Sequence, residues 1–422
     1  MVRLVEHEAK SLLRTVGVST PRGEVVSSPV EARRVAERLG KPVAIKAQVS
    51  ATGRFKAGGI GFANDPNEAT KIAGRILGAS IKGFLVKEVL VEEKLDVEKE
   101  FYGGVIVDDS YKVRAPVLMF STRGGVDIEQ VAAEHPTEVG RIVVDVLDGL
   151  SLDSVENLIR NLGVSSDLAD RLGNVAYGVY QIFSKYGARS VEVNPIVQTS
   201  DGMTYAADCR IVLDESSTSK HPELGIDFPR DIGRPPTDLE KKAWKIEETD
   251  FRGIAYFIQM AEFKQGEPYV GFHGIGGGGA MLGADALVRH GLKLANYADT
   301  SGNPTASKVY RIVKTIFSQP SIDGYVLMGA VVANQEQWHH AHALVRALRE
   351  ELTDRPKFPV VILIAGNKEN ESIEILKHGL TGLPAQIEVY GRDYVYNVDY
   401  VAERVKKLVD DYKEYMSLKS RR

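Results

Sequence analysis

The chain of 422 residues carries a net charge of −4, with 26% charged and 43% hydrophobic residues. That is the balance of a globular protein with room for about two or three cores, and it argues against a dedicated nucleic-acid binder, whose footprint is basic. The single cysteine, Cys209, excludes an internal disulfide; no apolar run reaches the roughly 18 residues of a membrane span, and the N-terminus lacks a secretory h-region, so the expected compartment is the cytoplasm.

Val5, Ala9, Leu12, Leu13 and Val16 recur at helical spacing and predict a helix over 3–16, ended by Gly17 and Pro21. A second helix runs from Pro29 to Leu39, with Gly40 as its stop. The apolar strand Pro42–Lys46 then delivers a lysine into the loop Lys46–Gly59, which carries Gly53, Arg54, Phe55, Lys56, Gly58 and Gly59. A helix follows from about Asn67 to Ile76, and the β-rich run Gly83–Val91 ends in Glu92 and Glu93. A strand starting at Glu98 pairs with Lys112–Phe120, and Leu168–Tyr186 is an amphipathic helix. Ser190–Val197 alternates apolar and polar residues, with Met203–Val212 as its hairpin partner across Asp201-Gly202.

Residues 214–250 are polar, hold Pro222, Pro229, Pro235 and Pro236, and show no period, so the domain connection is placed there, dividing 1–235 from 236–422. Beyond it, strands at Tyr269–His273, Ile322–Leu327, Phe358–Ile364 and Ala385–Tyr390 each precede a helix. That order predicts an α/β fold with a doubly wound parallel sheet.

Four groups of residues carry chemistry. The Lys46–Gly59 loop brings glycines that let backbone N–H groups approach phosphate oxygens, together with cationic side chains; it is not a Walker A loop, and it reads either as a phosphate cradle or as a basic hairpin. The acceptors Glu92, Glu93 and Glu100 suit nucleotide hydroxyls and amino groups, or are solvated surface. Glu192 and Asn194 stand two apart, so they share one strand face, and Asp208 lies on the hairpin partner; an Asp with an Asn carbonyl is hard-oxygen ligation suited to Mg²⁺, and the alternative is a polar hairpin face. Gly276, Gly277, Gly278 and Gly279 open a helix directly after a strand, where an anion can sit on free N–H groups or the turn can simply pack tightly. Met328-Gly329 through Asn334 is read as a second strand end running into a helix, both junctions facing one crevice. His339, His340 and His342 cannot all face one way and are read as ordinary helix residues rather than a metal site.

With these pieces in order, the chain resembles the nucleotide-binding (beta) subunit of succinyl-CoA synthetase and its relatives, the citryl-CoA synthetase large subunit and the amino-terminal part of ATP-citrate lyase. The resemblance covers nearly the whole chain, through Glu8-Ala-Lys-Ser-Leu-Leu13, the Lys46–Gly59 loop, Gly124-Gly-Val-Asp-Ile-Glu129, Glu192-Val-Asn-Pro195 and the Gly-rich turns. It implies an ATP-grasp amino-terminal half followed by a flavodoxin-like domain. The implied activity joins an acid to CoA at the expense of ATP or GTP, releasing NDP and phosphate, through a phosphohistidine owned by a partner alpha subunit. That partner would also hold most of the CoA site, in a heterodimer or heterotetramer. A stand-alone ATP-grasp ligase and a non-catalytic nucleotide sensor are the competing readings.

By the same resemblance, Lys46, Gly53, Arg54 and Phe55 hold nucleotide phosphates; Glu92, Leu95 and Glu100 hold base and ribose; Asn194 and Asp208 bind Mg²⁺; Glu192 meets the phosphohistidine. Phe55 replaces a family glycine. Gly276, Gly277, Gly278, Gly279, Gly329, Ala330, Val331, Val332 and Asn334 match the acid-binding side, with the junction at Gly329 resembling the beta contribution to the paired helices whose N-termini receive the phosphohistidine. Ile275 stands where succinate enzymes usually have an Asn, the runs Leu294–Gly302 and Gly276–Ala280 look more like the citrate-using branch, and in that branch an Asn matching Asn334 contacts citrate. An arginine that both put before the glycine of the third strand end is absent from Leu363-Ile-Ala-Gly366. Citrate is the expected acid, with succinate or malate next.

Overall fold

A computed structural model describes residues 1–226, 233–260 and 262–420; Pro229 lies outside them. The chain forms two compact units, Met1–Pro235 and Pro236–Arg422.

In the first unit, local sequence sets the helix ends. The helix Glu6–Thr15 starts where the Glu8 carboxylate accepts the Val5 N–H at 3.0 Å, and it buries Ala9, Leu12 and Leu13. Ser28 and Glu31 form a capping box ahead of Pro29–Leu39, and Gly40 closes that helix in the left-handed region. These elements position two sheets. The smaller has the order Gly23–Val26, Val89–Glu93, Val43–Ala47, Ile60–Ala63, all antiparallel. Its inner strand Val43–Ala47 is buried along its whole length, with Lys46 opposite Leu90 on one side and Ile60 on the other.

The larger sheet runs Val2–Arg3, Cys209–Leu213, Ala188–Thr199, Val97–Asp108, Ala115–Ser121, Val139–Val143, with Thr204–Ala206 also on Ala188–Thr199. The expected hairpin after Asp201-Gly202 is present, but its return splits into Thr204–Ala206 and Cys209–Leu213. Asp208 sits at that break. The 20-residue helix Ser166–Lys185 covers one face, burying Leu172, Val175, Val179 and Ile182 against Val191, Val193 and Ile211.

The second unit corrects the reading of 214–250 as unstructured connection. Asp238–Glu248 is an 11-residue helix whose Thr237 and Glu240 make a reciprocal capping box and whose Ala243, Trp244 and Ile246 are buried. The helix therefore belongs to the second core, while ahead of it Glu215–Thr218 is a short helix and Leu224 and Ile226 pack on the first core. The sheet order is Tyr256–Gln259, Lys293–Asp299, Tyr269–Ile275, Gly324–Glu336, Pro359–Asn367, Gln386–Tyr390. The last five are parallel to one another in the flavodoxin order, and Tyr256–Gln259 is an antiparallel edge. Alternate residues feed opposite faces: Tyr325 and Leu327 join one core with Ile312, Leu344 and Leu376, while Val326 and Met328 join another with Leu287, Val401 and Val405. No helix among the described residues is long and apolar enough to cross a membrane.

Candidate functional site

Six ionisable side chains meet where the first helix, the smaller sheet and the Asp208 break converge. Lys46 Nζ lies 2.9 Å from Glu6 Oε1, 2.7 Å from Glu92 Oε1 and 2.8 Å from the Ala207 carbonyl oxygen. Lys10 Nζ holds Glu6 Oε1 at 2.7 Å and both Glu92 oxygens, at 2.9 and 2.7 Å. Arg54 Nη2 lies 2.8 Å from Glu6 Oε2 and donates to Asp208 at 2.9 and 3.2 Å, while Nη1 donates to the Ala47 carbonyl at 3.1 Å. Three carboxylates and three cations thus balance in charge. Glu6, Lys10, Lys46 and Glu92 are buried, and Asp208 is partly exposed.

Burying so many charges is tolerable only because each is paired. Burial pushes the Glu6 carboxyl up, but Lys10, Lys46 and Arg54 outweigh it and hold the group well below the usual carboxylate range. Burial pulls the Lys46 ammonium down, and the Glu6, Glu92 and Asp208 charges outweigh it, raising it. Asp208 is pushed up, by burial first and by the Glu6 charge second, against Arg54 and Lys46. It titrates as one member of the cluster.

An open cleft of about 220 Å³ lies over this cluster, lined among others by Glu6, Gly53, Arg54, Phe55, Glu192, Asn194 and Asp208. Gly53 has φ +66°, which lets the loop turn there without a Cβ penalty, and Phe55 is 65% exposed. Glu192 stands opposite Arg210 on the neighbouring strand, and burial raises its carboxyl, with the Arg210 charge opposing. The Asn194 side-chain oxygen accepts the Gly125 N–H at 2.8 Å, and its amide donates to the Val126 carbonyl at 3.0 Å. Gly125, at φ +69°, sits in the left-handed region that favours glycine, with the Glu100 carboxylate beside it. Asn194 therefore ties the first cleft to a second, lined by Glu100, Arg123, Gly124, Asp127 and His135.

The structure thus brings Gly53, Arg54, Phe55, Glu192, Asn194 and Asp208 together around one cleft, buries Lys46 behind it against Glu6 and Glu92, puts Glu100 exposed at the neighbouring one, and leaves Leu95 half-buried on the connection after Glu93. Glu92 needs a correction. Its carboxylate is committed to Lys10 and Lys46 beneath the cleft and does not stand free for a ribose or base. Glu6 and Lys10 were missed. An acidic first turn and a lysine one turn on read as ordinary helix chemistry, and the only sequence signal was their i, i+4 spacing on the buried face.

Asn194 and Asp208 offer oxygen donors on adjacent backbone, the Asn194 N–H bonding the Asp208 carbonyl at 3.2 Å. The Asn194 oxygen retains a second lone pair, and Glu6 Oε2 is a buried oxygen ion-paired to Arg54 at 2.8 Å. This donor set fits a hard divalent cation.

In the second unit, Gly276, at φ +76°, caps the helix Gly277–Arg289 and donates its N–H to Ser301 Oγ at 2.8 Å; Ser301 in turn bonds Asp299. A Cβ on Gly277 or Gly278 would meet nothing within 4 Å, whereas one on Gly279 would meet the Ala330 nitrogen at 3.1 Å and one on Gly329 the Ile275 carbonyl oxygen at 1.9 Å. So Gly329 packs against the strand carrying the Gly-rich turn. The strand expected to end at Leu327 is longer: Gly324–Glu336 runs on through Gly329, Ala330, Val331, Val332 and Asn334, and the helix after it begins at Trp338. The side chains of Val331 and Val332 lie outside the described part. Ser301, Gly302 and Asn303 stand at the same strand ends, Asn303 accepting the Glu336 N–H at 3.4 Å. His340 is buried, with Nε2 2.8 Å from Thr300 Oγ1, and His273 bonds the same hydroxyl at 2.7 Å.

Fold and cleft together define an ATP-grasp nucleotide-binding unit followed by a flavodoxin-like one. Residues 3–198 match the family model described as an ATP-grasp domain, and residues 264–404 the one described as ATP citrate lyase citrate-binding. The beta subunit of GDP-forming succinate–CoA ligase from Thermus thermophilus is 36% identical over 378 residues, covering 89% of this chain and 93% of the relative. The ADP-forming counterpart from Halorubrum lacusprofundi is 33% identical over 404 residues, covering 95% and 100%. The chain belongs to this family of beta subunits. ATP citrate lyase from Methanothrix soehngenii, solved with citrate and coenzyme A, shares the fold at a TM-score of 0.74 and 20% identity, over 95% of this chain and 99% of that one.

Proposed function

We propose that the chain is the nucleotide-binding subunit of an NDP-forming acid–CoA ligase. It binds Mg-ATP or Mg-GTP and phosphorylates a histidine of an alpha-type partner, which carries most of the CoA site. The observation that carries this reading is the convergence of Arg54, Glu192, Asn194 and Asp208 on one cleft, with Lys46 paired to Glu6 and to the Ala207 carbonyl beside Asp208.

Lys46 and Arg54 exchange carboxylate partners for phosphate oxygens as the nucleotide enters, which keeps their charges paired. Asn194 and Asp208 hold the metal ion. Bound there, Mg²⁺ would supply charge neutralisation on the nucleotide phosphates. Glu192, on the cleft wall, accepts the N–H of the incoming imidazole and orients its other nitrogen toward the γ-phosphorus. The new N–P bond forms as the bond from phosphorus to the bridging oxygen breaks, and NDP leaves with that electron pair.

For the acid, we favour citrate. The match of residues 264–404 to the citrate-binding family model supports it, as does the exposed turn Gly277–Gly278 at the strand ends, where unhindered N–H groups suit carboxylates. The relatives' printed activities favour succinate as the second reading. Assaying the complex with a panel of di- and tricarboxylates, following CoA-dependent NDP release, decides between them. Turnover with citrate and not succinate is expected, and the reverse preference would overturn the choice of acid.

A further inference from the structure

One nitrogen in the first unit is surrounded as a metal ion would be. Arg54 Nη2 has Glu6 Oε2 at 2.8 Å, Asp208 Oδ1 at 2.9 Å and Asp208 Oδ2 at 3.2 Å. Three anionic oxygens from two carboxylates converge on it, yet an Nη carries only two hydrogens. Both bonds go to Asp208, and Glu6 Oε2 is left buried without one. A buried carboxylate oxygen held by an ion pair but with no directed hydrogen bond lacks a contact that a divalent ion supplies. Glu6 is also a lining residue of the cleft that a metal–nucleotide would enter.

We infer that Arg54 fills the cation position between Glu6 and Asp208 in the nucleotide-free protein, and that Glu6 is an unassigned acidic member of the metal site. This rests on the nucleotide-binding reading above. When the metal–nucleotide arrives, Arg54 leaves the two carboxylates for the phosphates, Asp208 and Glu6 Oε2 turn to the metal or its water, and the charge around each group stays balanced. Gly53 at φ +66° and Gly58 at φ +77° flank the arginine, giving its loop two positions free to turn. Free metal without nucleotide binds poorly, because it must expel Arg54 with no phosphate to receive it. The device couples metal binding to nucleotide binding.

The test uses the full chain and Mn²⁺ alone, counted as free ion by electron paramagnetic resonance, with MgADP binding measured in parallel by equilibrium dialysis. Arg54→Met removes the resident cation, and its Mn²⁺ affinity without nucleotide is expected to rise by about tenfold or more over wild type. Its melting temperature is expected to climb with added Mn²⁺, and Glu6→Gln in the Arg54→Met background should cancel both gains. If Arg54→Met proves unstable, Arg54→Lys gives the same comparison with a smaller gain, since an ammonium cannot present the guanidinium fork. Unchanged or weaker Mn²⁺ binding in the variant, with normal MgADP binding by wild type, would overturn the inference and leave the nucleotide reading standing. A Mn²⁺ gain that survives Glu6→Gln would remove Glu6 from the site. A gain in a protein whose wild type binds no MgADP would keep the cation position and overturn the nucleotide reading.

Discussion

Glu6 Oε1 lies 2.9 Å from Lys46 Nζ, across a separation of 40 residues, so the first helix and the strand that presents the lysine are joined through one buried carboxylate. The same oxygen holds Lys10. Removing one partner of a buried pair leaves its counter-charge uncompensated, at roughly 3–5 kcal/mol. Glu6→Ala, which strands Lys10, Lys46 and Arg54 around a vacated site, is therefore expected to lower the stability of the first unit by at least about 3 kcal/mol. Chemical denaturation of the full chain followed through the first unit's transition checks this, and a loss below about 1 kcal/mol would mean the pairing is not structural.

Asp208 is partly exposed and lies at a strand break, so its removal spares the core. Asp208→Ala is expected to leave the circular dichroism spectrum unchanged while weakening MgADP binding at least about tenfold. Affinity for ADP without metal should fall far less, since Lys46 remains. Equal losses with and without metal would remove Asp208 from the metal ligands.

The glycines of the second unit divide by what a methyl group would meet. Gly329→Ala puts a Cβ 1.9 Å from the Ile275 carbonyl oxygen, a clash that only backbone movement relieves, and a marked loss of stability is expected. Gly277→Ala meets nothing within 4 Å. Its melting temperature should stay near wild type while the KM for the acid rises, because the space a ligand needs is then partly filled. A Gly277→Ala variant with unchanged KM would show that the acid does not approach this turn.

Two imidazoles predict how the second unit responds to acid. Burial lowers His273 well below its ordinary value and lowers His340 to about 3. Both are neutral in the fold and take up protons near pH 6.5 once unfolded. Their depressed values mean stability is complete above pH 6.5 and is lost as pH falls toward about 3, at up to about 1.4 kcal/mol per pH unit for each ring. Calorimetry between pH 7 and pH 5 should show the second unit's transition moving down with acid, and His340→Gln should flatten the slope.

Much of this was legible in the sequence because it is local. Lys46 at the end of an apolar strand, Glu192 and Asn194 on one strand face and the Gly276–Gly279 turn each follow from spacing alone. The family resemblance added the assignment of each group. What escaped is non-local. Glu92 ends a strand as an exposed acceptor would, and only the pairing with Lys10, 82 positions earlier, shows it committed. Glu6 sits in a helix's first turn, where an acid needs no further explanation. Thr237 and Glu240 spell a capping box, but Pro235 and Pro236 just before them make the stretch read as connection. The strand through Gly329 was ended early because a glycine after an apolar run reads as a stop, and its 13-residue length is set by the neighbouring strands.

The nucleotide half of the chemistry comes down to whether this chain loads a histidine that it does not own. The complex with its alpha-type partner, incubated with γ-labelled ATP or GTP and Mg²⁺, should yield label on the partner that is lost in acid and stable in base. The label should be absent when this chain is omitted or carries Asp208→Ala. Label retained on this chain, or acyl-CoA formed by this chain alone without a phosphorylated partner, would overturn the assignment.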